Sequence, residues 1–196
     1  MPTIRYATAL ILMFAPWGVS GSAQSLPRAA VPDAFRDLPN VTVEYYDLHG
    51  SDEESINASL TRNAPTRPDG TKAMGATGYK VGYRPFQLGT GPACKVTKLK
   101  VALGAVVTLP RLADESVVPE RILAKWRPFI AALREHEAGH VRIHYRHMRE
   151  IEAALIGSRC DQLEAKFLAA AGKIEAFQRT YDRETNHGAT QGAILQ

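Results

Sequence analysis

The chain has 196 residues, a formal charge of +4, and 45% hydrophobic against 22% charged residues. So mild a basic balance, with no Lys/Arg run interleaved with aromatics, excludes a nucleic-acid-binding surface. The length suits one ordinary domain with its own core.

The first 23 residues begin with Arg5, continue through the apolar run Ala7–Ala15, and end in mostly small residues from Gly18 to Ala23. This is the layout of a secretory signal peptide cut after Ala23, with Gly21 at the minus-three position. The apolar run is well short of the ~20 residues a spanning helix needs, and no later stretch is long and apolar enough to cross a bilayer. Its removal leaves 173 residues at +3. An exported chain with two cysteines, Cys94 and Cys160, favours one disulfide between them. The loop so closed spans about 65 residues and stabilises by roughly 4 kcal/mol in the chain-entropy model. Free thiols and thiolate metal ligands are the competing readings, and the lack of a Cys-x-x-Cys pair argues against a cysteine-rich zinc site.

Residues 24–40, with Pro27, Pro32 and Pro39, read as a leader lying along the surface. Val41–Tyr46 is β-branched and aromatic and predicts a strand. Ser51–Leu60 predicts a short helix, with Ser51 as cap and Glu54 three residues on. Thr61–Gly75, with Pro65, Pro68 and Asp69-Gly70, is a loop by composition. Thr77–Tyr83 predicts a second strand. Cys94–Lys100 and Val101–Leu109 predict a strand pair with a turn or bulge at Leu103-Gly104-Ala105, and Pro110 ends the sheet region. From Pro119 onward the pattern becomes helical. Residues 120–156 form one long helix that Pro128 must kink or restart. Gly157-Ser158 breaks it, and a second helix runs from Cys160 to about Arg183. Strands first and helices second define an α+β fold: a mostly antiparallel sheet followed by two long antiparallel helices. The domain spans residues 41–188, and residues 189–196 read as a flexible tail.

The first long helix carries His136-Glu137-Ala138-Gly139-His140. Histidines four apart share one helix face, one turn apart, a spacing that lets two imidazoles grip one Zn²⁺. Glu137, next to the first ligand, is the residue such sites use as general base toward a zinc-activated water. At 100° per residue, Trp126, Ile130, Leu133, Ile151 and Leu155 form an apolar stripe. His136 and His140 fall on its border and Glu137 falls inside it, while Glu135, Arg142, Arg146 and Arg149 lie opposite. A carboxylate in an inward stripe is costly unless paired or put to use. Gly139 is unusual at a helix centre; its bare surface lets another segment approach, or packs against the sheet.

Catalytic zinc sites carry three protein ligands and an open position. His144 lies about 12 Å along the axis from His136 at ~1.5 Å per residue, which makes it a core or ligand-supporting residue rather than a ligand. His147 is farther still, and His49 sits in a solvated turn. The second helix, ~36 Å long, returns antiparallel past a ~29 Å stretch of the first and reaches the level of His136 near residues 178–187. His187 is therefore the expected third ligand. Asp182 is its first alternative, or else orients a zinc-bound histidine. Tyr181 is placed to donate its hydroxyl to a developing oxyanion, and Glu164 lies too early in the helix to reach the metal.

These residues resemble a bacterial family described as predicted secreted zinc-dependent proteases. The resemblance runs from about Val41 to Gly188. It rests on the Val41–Tyr46 strand, Thr77-Gly78-Tyr79-Lys80-Val81, Cys94, the Val-rich strand ending Thr108-Leu109-Pro110, Trp126, the His136–His140 motif, Cys160, and the box Tyr181-Asp182-Arg183-Glu184-Thr185-Asn186-His187-Gly188. The chain departs from that pattern at Gly82-Tyr83 and at Arg111, where aromatics are usual. The resemblance implies export, bound zinc and a peptidase acting on peptide or protein substrates. A zinc amidase acting on cell-wall peptide is the alternative enzyme, and a zinc-stabilised binding or assembly protein without turnover is the alternative from another class.

Overall fold

The computed structural model describes residues 33–67 and 70–195. The expected signal peptide and most of the leader lie outside them. A three-stranded sheet comes first, β1 (Val41–Leu48), β2 (Ala76–Leu88) and β3 (Lys95–Leu112), with a short helix α1 (Glu53–Asn63) between β1 and β2. Two long helices follow, α2 (Glu120–Leu155) and α3 (Leu163–Thr185). The architecture is α+β, as expected from the sequence.

The sheet order is β1-β3-β2, and the sheet is mixed. β2 and β3 form an antiparallel hairpin, whereas β1 runs parallel to β3, with Val41 opposite Ala105. The parallel pairing requires a crossover between the two strands, and α1 together with β2 supplies it. β3 is one unbroken strand through Gly104, not a strand pair. Gly104 pairs with Lys80 while its neighbour Ala105 pairs with both Tyr79 and Val41, so ladders on both sides hold the glycine extended. Nor does Pro110 end the sheet. The β2 pairing stops at Thr108, and beyond it only β1 pairs with β3, as far as Leu112. A residue without an N–H is tolerated where one side of the strand has no ladder to complete. Along β3, Leu103, Ala105, Val107 and Leu109 are buried in strict alternation, the period-two signature of a strand covered on one face.

The cap of α1 falls one residue later than expected. Asp52 caps it, accepting from Ser55 N at 2.8 Å, while Ser55 Oγ accepts from Asp52 N at 3.3 Å. α2 runs unbroken through Pro128, which is exposed. The missing hydrogen bond lies on the wet face, and the burial of Trp126, Phe129 and Ile130 beside it contributes ~2 kcal/mol or more per side chain, enough to hold the helix across the proline.

The main core lies between the sheet and the first half of α2, around Val107, Leu109, Trp126 and Phe129. A second cluster joins Val96 and Leu99 of β3 to Ile151 and Leu155 of α2 and to Phe167 and Ile174 of α3. Cys94 and Cys160 form a disulfide between the start of β3 and the α2–α3 turn. The same corner is stitched by Val96 N to Ser158 O at 2.9 Å and Gly157 N to Val96 O at 2.8 Å. Among the described residues no helix is long and apolar enough to cross a membrane.

The C-terminal segment is not a loose tail. It forms a 3-10 turn at Ala189–Gln191, and Ala193 is 1% exposed within the main core. A small apolar side chain after two left-handed glycines, Gly188 and Gly192, lets the chain fold back onto α2.

Candidate metal centre

His136 and His140 project from α2 toward the last turn of α3. Both direct Nε2 at a single carboxylate oxygen, Asp182 Oδ1, at 3.3 Å from His136 and 3.0 Å from His140. The three side chains form a group that could hold a metal ion. With zinc–ligand distances near 2.0–2.1 Å, the edges of a ligand tetrahedron are about 3.3 Å, so the donor set has the spacing and the chemistry such an ion requires. His136 is 4% exposed, and the Asp182 side chain opens to solvent at 29%.

The other ring nitrogens are also held. His140 Nδ1 lies 2.6 Å from Gln178 Oε1, and His136 Nδ1 lies 2.9 Å from Gln191 Oε1. Burial opposes ionisation of Asp182, but the hydrogen bonds from His136 and His140 outweigh it and hold the carboxyl well below the usual range. Burial likewise opposes charge on His140; Asp182 and Glu137 together more than compensate and raise its pKa.

Glu137 is buried on the sheet side of the helix, 4% exposed. Thr77 Oγ1 of β2 donates to its Oε2 at 2.6 Å. The carboxylate fits because residue 75 is glycine: a Cβ there would lie 2.5 Å from Glu137 Oε1. Burial raises the Glu137 pKa, with His140, Thr77 and His136 acting against the rise.

His187, the expected third ligand, stands outside the group. α3 ends at Thr185, and Asn186, His187 and Gly188 are all left-handed, with φ of 47°, 52° and 86°. The chain turns away there, so the His187 side chain is 58% exposed and its Nδ1 comes only to 3.6 Å from Asp182 Oδ1. Asp182, still within the helix, faces α2 and completes with His136 and His140 the group that could hold an ion. Tyr181 lies beside the centre, its ring stacked on His136 at 5.1 Å and edge-on to His140 at 5.0 Å. Its hydroxyl lies within donating distance of His136 O at 3.3 Å and Gln191 Oε1 at 3.4 Å and accepts from Gln191 Nε2 at 3.1 Å, so the protein itself holds it in place. Gly139 makes room for this ring, and its neighbour is α3 rather than the sheet. His144 is buried, stacked on Tyr79 at 3.6 Å and bonded through Nδ1 to Gln178 Nε2 at 2.6 Å. It supports the centre without joining it.

Residues 43–188 match the family model described as "Bacterial protein of unknown function (DUF922)". The chain belongs to this family. The DUF922 description carries no activity, and the match therefore supports neither a protease nor any other named chemistry. No curated protein and no solved structure matches the chain. The matched region holds the two histidines, Glu137, Asp182, Gln178 and Thr77, but stops short of Gln191.

Sequence reasoning missed Gln178, Gln191, Thr77 and Gly75. Gln178 carried a signal, a polar residue one turn before Asp182 and on the same helix face. Gln191 carried none, since a glutamine in a polar C-terminal stretch looks solvated.

Proposed function

We propose that the chain is a zinc-dependent hydrolase that cleaves peptide bonds. The observation that carries this reading is Glu137: a buried carboxylate beside two metal-spaced histidines, tied down by Thr77 and admitted by Gly75. A purely structural metal site has no need of it. His136, His140 and Asp182 would hold the ion, leaving a fourth position open. Bound zinc supplies Lewis acidity toward water and toward a substrate carbonyl.

The protein's own groups do the proton work. Thr77 occupies one Glu137 oxygen, which leaves the other to accept a proton from the water attacking the carbonyl carbon and to deliver it to the departing nitrogen. A base with a raised pKa is better matched to neutral pH than an ordinary carboxylate. The disulfide fits an oxidising compartment, in keeping with export through a signal at residues 1–23.

Metal analysis of the purified protein, paired with a peptide-library cleavage screen of wild type against Glu137→Gln, tests the reading. The expected result is about one zinc per chain in both proteins and cleavage by the wild type alone. Absence of zinc uptake, or full activity of Glu137→Gln on a peptide the wild type cleaves, overturns it.

A further inference from the structure

We infer that Gln178 and Gln191 are positioning residues for the metal ligands, two neutral amides that hold a proton on Nδ1 of His140 and His136 and so leave Nε2 as the atom each ring gives to a metal. The inference rests on the reading of His136, His140 and Asp182 as the metal-binding group.

Hydrogen counting determines the tautomers. Gln178 Nε2 lies 2.9 Å from the carbonyl oxygen of His140, which can only accept. That atom must be the amide nitrogen, so the opposite atom, 2.6 Å from His140 Nδ1, is the amide oxygen. An oxygen there accepts, hence His140 carries a proton on Nδ1, and Nε2, hydrogen-bonded to Asp182 at 3.0 Å, is the nitrogen that gives up its proton to a metal. The second proton of the same amide goes to His144 Nδ1 at 2.6 Å, which makes His144 the opposite tautomer and fills every position on Gln178. At the other ligand, the Tyr181 hydroxyl lies 3.3 Å from His136 O and 3.4 Å from Gln191 Oε1 and accepts from Gln191 Nε2 at 3.1 Å. Gln191 Oε1 faces His136 Nδ1 at 2.9 Å, so His136 also holds a proton on Nδ1 and offers Nε2 to a metal. Partners of this kind fix ring orientation and tautomer before the metal arrives.

Their placement adds a second point. Gln178 comes from α3, but Gln191 comes from the C-terminal turn, so that segment belongs to the centre. Gly188 presses it against His136: a Cβ on Gly188 would lie 2.9 Å from His136 Cγ. Because both acceptors are neutral, the ligand set of two imidazoles and one carboxylate carries one negative charge, and a divalent ion keeps a net positive charge when bound. Carboxylates in the same two positions would erase it and weaken the ion as a Lewis acid.

Gln191 is exposed, so it can be changed without opening the core. Zinc affinity is measured by competition with a chelator for wild type, Gln191→Ala and Gln191→Glu, and protonation of His136 Nδ1 is read from its ring ¹⁵N shifts in the zinc-free proteins. Gln191→Ala should bind zinc about 10–100-fold more weakly and lose the proton on His136 Nδ1. Gln191→Glu, which keeps an acceptor, should restore both. Wild-type affinity and an unchanged Nδ1 signal in Gln191→Ala overturn this inference alone. A wild type that takes up no zinc overturns the metal reading and this inference with it.

Discussion

Gly139 lies directly against the Tyr181 ring: a methyl group on residue 139 would overlap the hydroxyl and come within 2.5 Å of the ring carbon that bears it. The glycine is what lets α3 approach α2 at the level of the two histidines. Gly139→Ala should therefore destabilise the protein by ~1–3 kcal/mol through overpacking, although alanine is the better helix former by ~1 kcal/mol. In a Tyr181→Ala background the sign should reverse and Gly139→Ala should stabilise. Urea denaturation of the four proteins in chelator decides it; a stabilising single mutant would show that the ring is not held there.

Asp182, and not the expected His187, joins His136 and His140 in the group that could hold a metal ion. Asp182→Ala should lower zinc affinity by orders of magnitude, as His136→Ala should, because it removes one of three ligands. His187→Ala should leave affinity within a few-fold of wild type. Chelator competition on the three variants checks the order, and the reverse order would return His187 to the metal.

Thr77 supplies the hydrogen bond that a buried Glu137 needs. Thr77→Val should cost about 1–3 kcal/mol by leaving a buried acceptor unsatisfied, and should push the Glu137 pKa higher still, since the Thr77 bond lowers it. Thr77→Ser should recover most of the loss. Denaturation midpoints that do not distinguish Val from Ser would remove Thr77 from the account.

His144 is buried and its pKa is lowered to about 4, chiefly by burial. Between the ordinary value near 6.5 and 4, the unfolded chain binds a proton at this position that the folded chain does not. This histidine therefore makes stability fall as pH drops through that window, with no further loss below it. The opposite shift of His140 gives zinc-free protein a contribution of the other sign, so bulk stability mixes the two. The His144 ring signals in NMR read one group alone: they should remain those of a neutral imidazole at pH 5.5. A midpoint near 6.5 would contradict the burial argument.

The Cys94–Cys160 bond closes a loop of 66 residues. Replacing both cysteines with alanine should cost roughly 4 kcal/mol while leaving zinc stoichiometry unchanged, since none of His136, His140 and Asp182 lies at that corner. Urea denaturation and metal analysis of the double variant check the two halves of this statement.

Local periodicity made much of this molecule legible in advance. The 3.6-residue repeat alone puts His136 and His140 on one face and Glu137 in the inward stripe, and two cysteines leave one intramolecular pairing. The helix break at Gly157-Ser158 and the return of α3 to the level of His136 also follow from spacing and rise per residue. What sequence could not show are contacts between residues far apart in the chain. The parallel pairing of β1 with β3 depends on a crossover, not on either strand's composition. Asp182 rather than His187 faces the two histidines because α3 ends at Thr185 and turns left-handed at once, a difference of a few residues that decides which side chain faces α2. Thr77 meets Glu137, and Gln191 meets His136, across separations of 60 and 55 residues. Those meetings arise only when sheet, helices and C-terminal turn close on one another, because a hydrogen bond between such residues is specified by their positions in space and leaves no period in the sequence.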